Sequence, residues 1–284
     1  MAQGYRYRAA LFFAFAYAVA WIPWFAGIYA ASRHDLKPCA SLLNLAGLLG
    51  PVGASLFLVF GSRSTVLKRD FKDRLFNLRR INPLYALLAV AMPFAVVCLA
   101  ILLSLCFGQS SDQFRPASGA GMVPLIVLAL VLAPICEETG WHGYGVDSLR
   151  AGAPMMTATL LFALLWCGWH APLVFIPGTY QHTLAIMDNK IYVANFFVSI
   201  IPVAIIANWF YYKNERSIAA AMLFHSMLNA ASVLIAAGQA AKLIVTVLYS
   251  AIAAAIILVD RRLFAAGPRN VLEAPVTGRQ SGRA

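Results

Sequence analysis

Charge is what this chain has least of. Only 12% of its 284 residues are Asp, Glu, Lys or Arg, and acids number 11 against 22 bases. Soluble domains carry about a quarter charged residues, so a soluble fold is excluded. The five cysteines, Cys39, Cys98, Cys106, Cys136 and Cys167, form no CxxC pair. Four of them sit in apolar runs and read as small buried hydrophobes. No HExxH occurs, so the usual zinc-protease helix is missing. No internal repeat is present, and no low-complexity tract precedes the tail.

Apolar residues are what is there instead, at 61%. The class is an all-α, polytopic transmembrane helical bundle. About 20 apolar residues cross a bilayer, and spans are expected near 9–31, 39–60, 83–107, 120–136, 155–176, 191–211, 218–237 and 242–260, eight in all. The first run follows Arg6 and Arg8 without a cleavage site and reads as a retained span. The net charge of +11 is no nucleic-acid footprint, because the cations lie in the gaps between spans. Eight spans put the basic segments around Arg6 and Arg8, 61–82, Lys213 and Arg216, and Arg261 and Arg262 on one side. That side is cytoplasmic by the positive-inside rule, so both termini are expected there, in the cell (inner) membrane. The segment 61–82 reads equally as a solvated connector or as an amphipathic surface helix with Val66, Phe71, Leu75 and Leu78 on one face. Trp21, Trp24, Trp209, Tyr211 and Tyr212 near span ends read as interface anchors. Residues 1–264 form one membrane domain, and 265–284 are expected to be a disordered cytoplasmic tail.

The stretch 133–150, APICEETGWHGYGVDSLR, organises the rest. Glu137 and Glu138 follow an apolar run, and a charge at membrane depth costs a few kcal/mol, which makes such acids functional candidates. If the helix runs on to Arg150 and turns at Ala151–Pro154, Glu137 lies about 14 residues, roughly 20 Å, before the turn. His170 lies a similar distance after it, so a hairpin brings the two to comparable depth. Residues four apart share a helix face. Glu138 aligns with His142 as a supporting pair. Glu137 aligns with Trp141, and one turn further with Tyr144, and is left to face a cavity. Gly140 and Gly143 leave room for a neighbouring helix.

Two more elements complete the inventory: Trp166-Cys167-Gly168-Trp169-His170, and His225-Ser226-Met227-Leu228-Asn229. Glu137 and His170 suit proton abstraction from water, and His225 with Asn229 suits stabilisation of a developing oxyanion. His34 and His182 read as loop-surface residues, and Asn195 and Asn208 as packing contacts. Glu137, His170 and His225 also match a two-His, one-carboxylate zinc site. A membrane immunity or interaction protein that keeps the motifs as scaffold, and a transporter with a His/Glu proton relay, stand as alternatives.

EETGWHG (137–143), WCGWHAPL (166–173) and FHSMLN (224–229), in that order, resemble the CPBP family of CAAX proteases and bacteriocin-processing enzymes, also called the Abi or type II CAAX prenyl endopeptidase-like family. The likeness covers about 120–229. It implies an intramembrane endopeptidase with no cofactor. Glu137 and His170 would activate water, His225 and Asn229 would hold the oxyanion, and Glu138 would support them. The substrate implied is a membrane-anchored peptide, including a lipidated CAAX-like end; the other partner is membrane lipid, with no nucleic acid. The family's motif places Arg where this chain has His142. Arg is always charged and grips a carboxylate bidentately, whereas His can be neutral at pH 7, so a weaker or pH-dependent hold on Glu138 is expected.

Overall fold

Long apolar runs in lipid have to satisfy their backbone groups internally, so they fold as helices. The structure is a computed structural model that describes residues 5–116 and 122–272. Among these, β pairing is limited to an isolated antiparallel bridge between Pro116 and Ile235. The molecule is an all-α helical bundle and an integral membrane protein. Five helical segments are long and apolar enough to cross a membrane: Ala9–Ala31, Pro83–Leu105, Met155–Phe175, Ile191–Lys213 and Gln239–Val259.

Three of the eight expected spans take other forms. The second is two helices, Lys37–Gly47 and Leu49–Phe60, bent by 49°; Gly47 and Pro51 flank the break, where helical bonding is weakest. The fourth enters the described residues at Met122 and runs unbroken to Arg150, with π turns at Leu128–Leu132 and Trp141–Gly145. This is the motif helix. The seventh, Ile218–Leu234, has 17 residues, about 25 Å at 1.5 Å each. Its N-cap Ser217 accepts the Ala220 N–H, which fixes where it starts.

The motif helix packs against Leu49–Phe60 on one side and Ile218–Leu234 on the other, and Met155–Trp169 returns beside Ile191–Lys213. Gly140 and Gly143 make the first contact possible, as their spacing suggests. A Cβ at Gly140 would collide with the Pro51 backbone, and one at Gly143 would lie 3.2 Å from Ser55 Oγ. Gly140→Ala is therefore expected to cost about 1–3 kcal/mol by overpacking, read as a lower unfolding midpoint in detergent. Gly53→Ala, with nothing within 4 Å of its added Cβ, is the control that leaves the midpoint in place.

The basic segments gather at one end. Arg80 bonds the Glu215 carbonyl, Lys213 pairs with Asp260 at 3.0 Å, and the bond from Lys213 holds the Asp260 carboxyl below its ordinary range. At the other end Gln113 Oε1 accepts from Gly238 N–H at 2.8 Å, and Tyr180 OH bonds Gln239 at 3.1 Å. Of the face expected in 61–82, Phe71 is buried in the bundle and Leu75 packs against it. In the helix Thr65–Phe76 the buried residues are Leu67, Phe71 and Arg74, whereas Val66 and Leu78 are exposed.

Of the expected interface anchors, Trp24 packs on Trp169 with ring centroids 4.8 Å apart, and Tyr211 is wholly buried. The five cysteines are all unpaired and none is fully buried; Cys39 and Cys106 are exposed. Within the expected tail, 265–272 lies against the bundle: Ala266 O accepts from Met155 N–H at 3.0 Å, and Arg150 O accepts from Arg269 N–H at 3.0 Å. Residues 273–284 lie outside the described residues.

Candidate active site

The hairpin of the motif helix and Met155–Trp169 turns at 151–154 and sets Glu137 opposite Trp166. Glu137 is 5% exposed and Glu138 2%, so both acids depend on protein donors. Their donors differ. Glu137 Oε2 accepts from Trp166 Nε1 at 2.9 Å and from Trp141 Nε1 at 3.3 Å. Its Oε1 has no hydrogen-bond partner among the described residues. Glu138 is held on both oxygens: Oε1 by His225 Nδ1 at 2.7 Å, and Oε2 by His142 Nδ1.

The i to i+4 pairing of Glu138 with His142 is thus as the spacing suggests. Trp141 and Tyr144 both pack on Phe12, with ring centroids 6.0 and 5.3 Å away, and Tyr144 OH bonds Tyr5 OH at 2.8 Å and accepts from Arg8 N–H at 3.0 Å.

His170 closes the Met155–Trp169 helix as its C-cap. Its Nδ1 lies 2.8 Å from the Trp166 carbonyl. A carbonyl only accepts, so Nδ1 carries the hydrogen and Nε2 of the neutral ring keeps its lone pair. His225 Nδ1 likewise donates to Glu138. Neither Nε2 has a partner among the described residues. The Trp166 ring lies 6.0 Å from the His170 ring and 5.7 Å from the His225 ring, between centroids. Glu137 is within electrostatic range of both imidazoles. Three helices thus each carry one atom with no hydrogen-bond partner among the described residues: Glu137 Oε1, His170 Nε2 and His225 Nε2.

Asn229 makes a contact that its spacing does not suggest. Its amide donates to the Ala129 carbonyl at 2.7 Å, across to the first π turn of the motif helix. One N–H of that amide is thus committed to joining two helices. His142 meets more than Glu138: its Nε2 lies 3.0 Å from Asn208 Oδ1, and Asn208 Nδ2 donates to Thr159 Oγ1 at 3.0 Å. Asn208, read from sequence as a packing contact, is a member of this chain of bonds. An amide inside an apolar span was the available signal. Asn195 fits the packing reading, with a 3.3 Å bond to the Lys242 carbonyl. His34 is exposed; His182 is half-buried and bonds the Val174 carbonyl at 3.0 Å.

A zinc site from Glu137, His170 and His225 does not fit. Among the described residues no three His, Cys, Asp or Glu side chains form a group that could hold a metal ion.

A family model described as Rce1-like, type II CAAX prenyl endopeptidase, matches residues 119–231. That stretch contains all of the site residues above. The curated CAAX prenyl protease 2 of Methanococcus maripaludis is 40% identical over 273 residues, covering 93% of this chain and 98% of that protein.

Proposed function

The chain belongs to the Rce1-like type II CAAX prenyl endopeptidase family and is an intramembrane peptidase, and from that premise we propose that Glu137 is its general base and that it cuts next to a lipid-bearing, CAAX-like C-terminal segment. The observation that carries this reading is the set of open positions. Glu137 Oε1, His170 Nε2 and His225 Nε2 have no partner among the described residues, while the opposite atom of each side chain is tied down.

A water between Glu137 and His170 gives a proton to the Glu137 carboxylate as its oxygen attacks the scissile carbonyl carbon. His170 Nε2, with a fixed lone pair, accepts a hydrogen bond from the water's other O–H, which stays on the oxygen, and aims the attack. Negative charge develops on the carbonyl oxygen. His225 Nε2–H donates to it, and the Glu138 carboxylate on Nδ1 balances the charge of the ring. The remaining N–H of Asn229 is the second donor. The C–N bond then breaks, and the leaving amine takes the proton held by Glu137. The substrate's lipid anchor would bring the peptide to the membrane depth of these residues. No step uses a metal.

The basic end of the bundle is the cytoplasmic one, with both termini on that side, by the positive-inside rule. C-terminal proteomics of membranes is the test of substrate class. Wild type shortens the C-termini of lipid-anchored proteins and Glu137→Ala leaves them whole. Identical C-termini in the two membranes would remove the proposal.

His142 stands where the family's motif has Arg, and it holds Glu138 from one side and Asn208 from the other. An Arg there offers Glu138 a permanent charge and a fork of donors. His142→Arg is expected to keep or raise the rate of hydrolysis. A large loss in that variant, measured on a synthetic lipidated peptide, would give His142 a part in the reaction itself.

A further inference from the structure

One buried cluster of charges takes no part in the chemistry above. Arg74 and Asp147 are wholly buried. Arg74 Nε bonds Asp70 at 2.7 Å, Nη1 bonds Tyr211 OH at 2.7 Å, and Nη1 lies 3.3 Å from Asp147 Oδ2. Arg216 bridges the same two acids, reaching Asp147 Oδ2 at 2.6 Å and Asp70 Oδ1 at 3.0 Å. Tyr211 and Tyr212 add hydroxyl donors to Asp147 at 2.7 and 3.2 Å.

Stability alone is a poor reason for this arrangement. Buried ion clusters often break even with, or lose to, apolar packing of the same volume. The backbone is strained there as well. Glu215 and Arg216 have φ of 51° and 64°, the left-handed region that costs non-glycine residues on the order of 1–3 kcal/mol each. A cluster that opposes desolvation and strain together is holding something in place.

What it holds is the second π turn. Arg74 Nη1 donates to the His142 carbonyl and Nη2 to the Gly143 carbonyl, each at 2.9 Å. Both carbonyls belong to the turn Trp141–Gly145, and Asp147 follows it on the same helix. A π turn is a local departure from the regular ladder, and such turns recur at functional sites. Trp141 and His142, which hold Glu137 and Glu138, both project from this one.

We propose that Arg74 is a positioning residue for the peptidase site. Its guanidinium clamps the His142 and Gly143 carbonyls, and so fixes the π turn that sets the donors of both acidic residues. Asp70, Asp147 and Arg216 aim the guanidinium in turn. A helix from the basic cytoplasmic-end segment thereby completes a site whose working atoms all lie on other helices. The inference rests on the roles given above to Glu137, His170 and His225.

Arg74→Lys is the test, because one ammonium keeps the charge but cannot span two carbonyls and two carboxylates. Misplacement by about 1 Å costs on the order of 10²-fold in rate. The expected result is a kcat about 10–10²-fold lower per folded molecule, with KM within about twofold. Amide hydrogen exchange rises in 141–150 and stays unchanged in Met155–Trp169. Arg216→Lys gives the same pattern in milder form, and keeps the test alive if Arg74→Lys folds poorly. A purely structural role predicts a lower unfolding midpoint and faster exchange throughout, with kcat per folded molecule at the wild-type value; that outcome overturns the proposal. So does an unchanged exchange pattern with unchanged kcat. Glu137→Gln, run alongside, separates the two failures. If it is active, the site reading itself is wrong; if it is inactive while Arg74→Lys is at wild-type rate, only the clamp is wrong.

Discussion

Glu137→Gln is expected to lower kcat by on the order of 10³-fold, within the range that a positioned acid or base contributes, while leaving the fold and KM nearly as they were. The substitution is close to isosteric. A Gln carbonyl oxygen still accepts the Trp166 and Trp141 indole N–H groups that now meet Oε2, so packing and donor satisfaction carry over. What goes is the capacity of the free oxygen to take a proton from water. Loss of rate in kcat rather than KM marks an interaction that matters only as the barrier is crossed. Unfolding midpoints for variant and wild type should agree within a few degrees. An active Glu137→Gln enzyme would move the base elsewhere.

His225→Asn carries the second-largest expected effect, a loss of about 10²–10³-fold in kcat, the range for deleting one donor to a developing oxyanion. Asn is chosen because its side-chain N–H stands near the place of Nδ1 and can keep the 2.7 Å bond to Glu138. The second ring nitrogen has no counterpart in Asn. His225→Ala is the less informative variant, since it would leave a buried carboxylate oxygen bare, and breaking a buried pair costs about 3–5 kcal/mol. If His225→Asn keeps the wild-type kcat, the oxyanion is held by other donors. If both variants unfold the protein, His225 is chiefly a structural partner of Glu138.

What could be read in the sequence follows from which contacts are local. Glu138 and His142 are four residues apart, and their pairing is legible from spacing alone even though His142 opens onto a π turn. The depth match of Glu137 and His170 follows from counting residues on either side of 151–154. The bond between His225 and Glu138 joins residues 87 apart, and no periodicity encodes it. The π turns are equally hidden, because an extra residue in a turn leaves no compositional mark. Arg74 lies in a run of cations that reads as a membrane-orientation signal. Positive-inside reasoning weighs the side chains as a sum and does not single out the one that turns inward. Tyr211 near a span end reads as an anchor for the same kind of reason, until its hydroxyl is found between Arg74 and Asp147. The bend between Lys37–Gly47 and Leu49–Phe60 had its glycine and proline in plain view, but twenty-odd apolar residues in a row suggest one span.

A high-resolution density map of the reconstituted protein tests the central claim most directly. The proposed chemistry predicts an ordered water within about 2.6–3.2 Å of both Glu137 Oε1 and His170 Nε2, with His225 Nε2 facing the same space and Arg74 seated on the His142 and Gly143 carbonyls. Side chains of Glu137, His170 and His225 that point apart, or toward lipid, would contradict it.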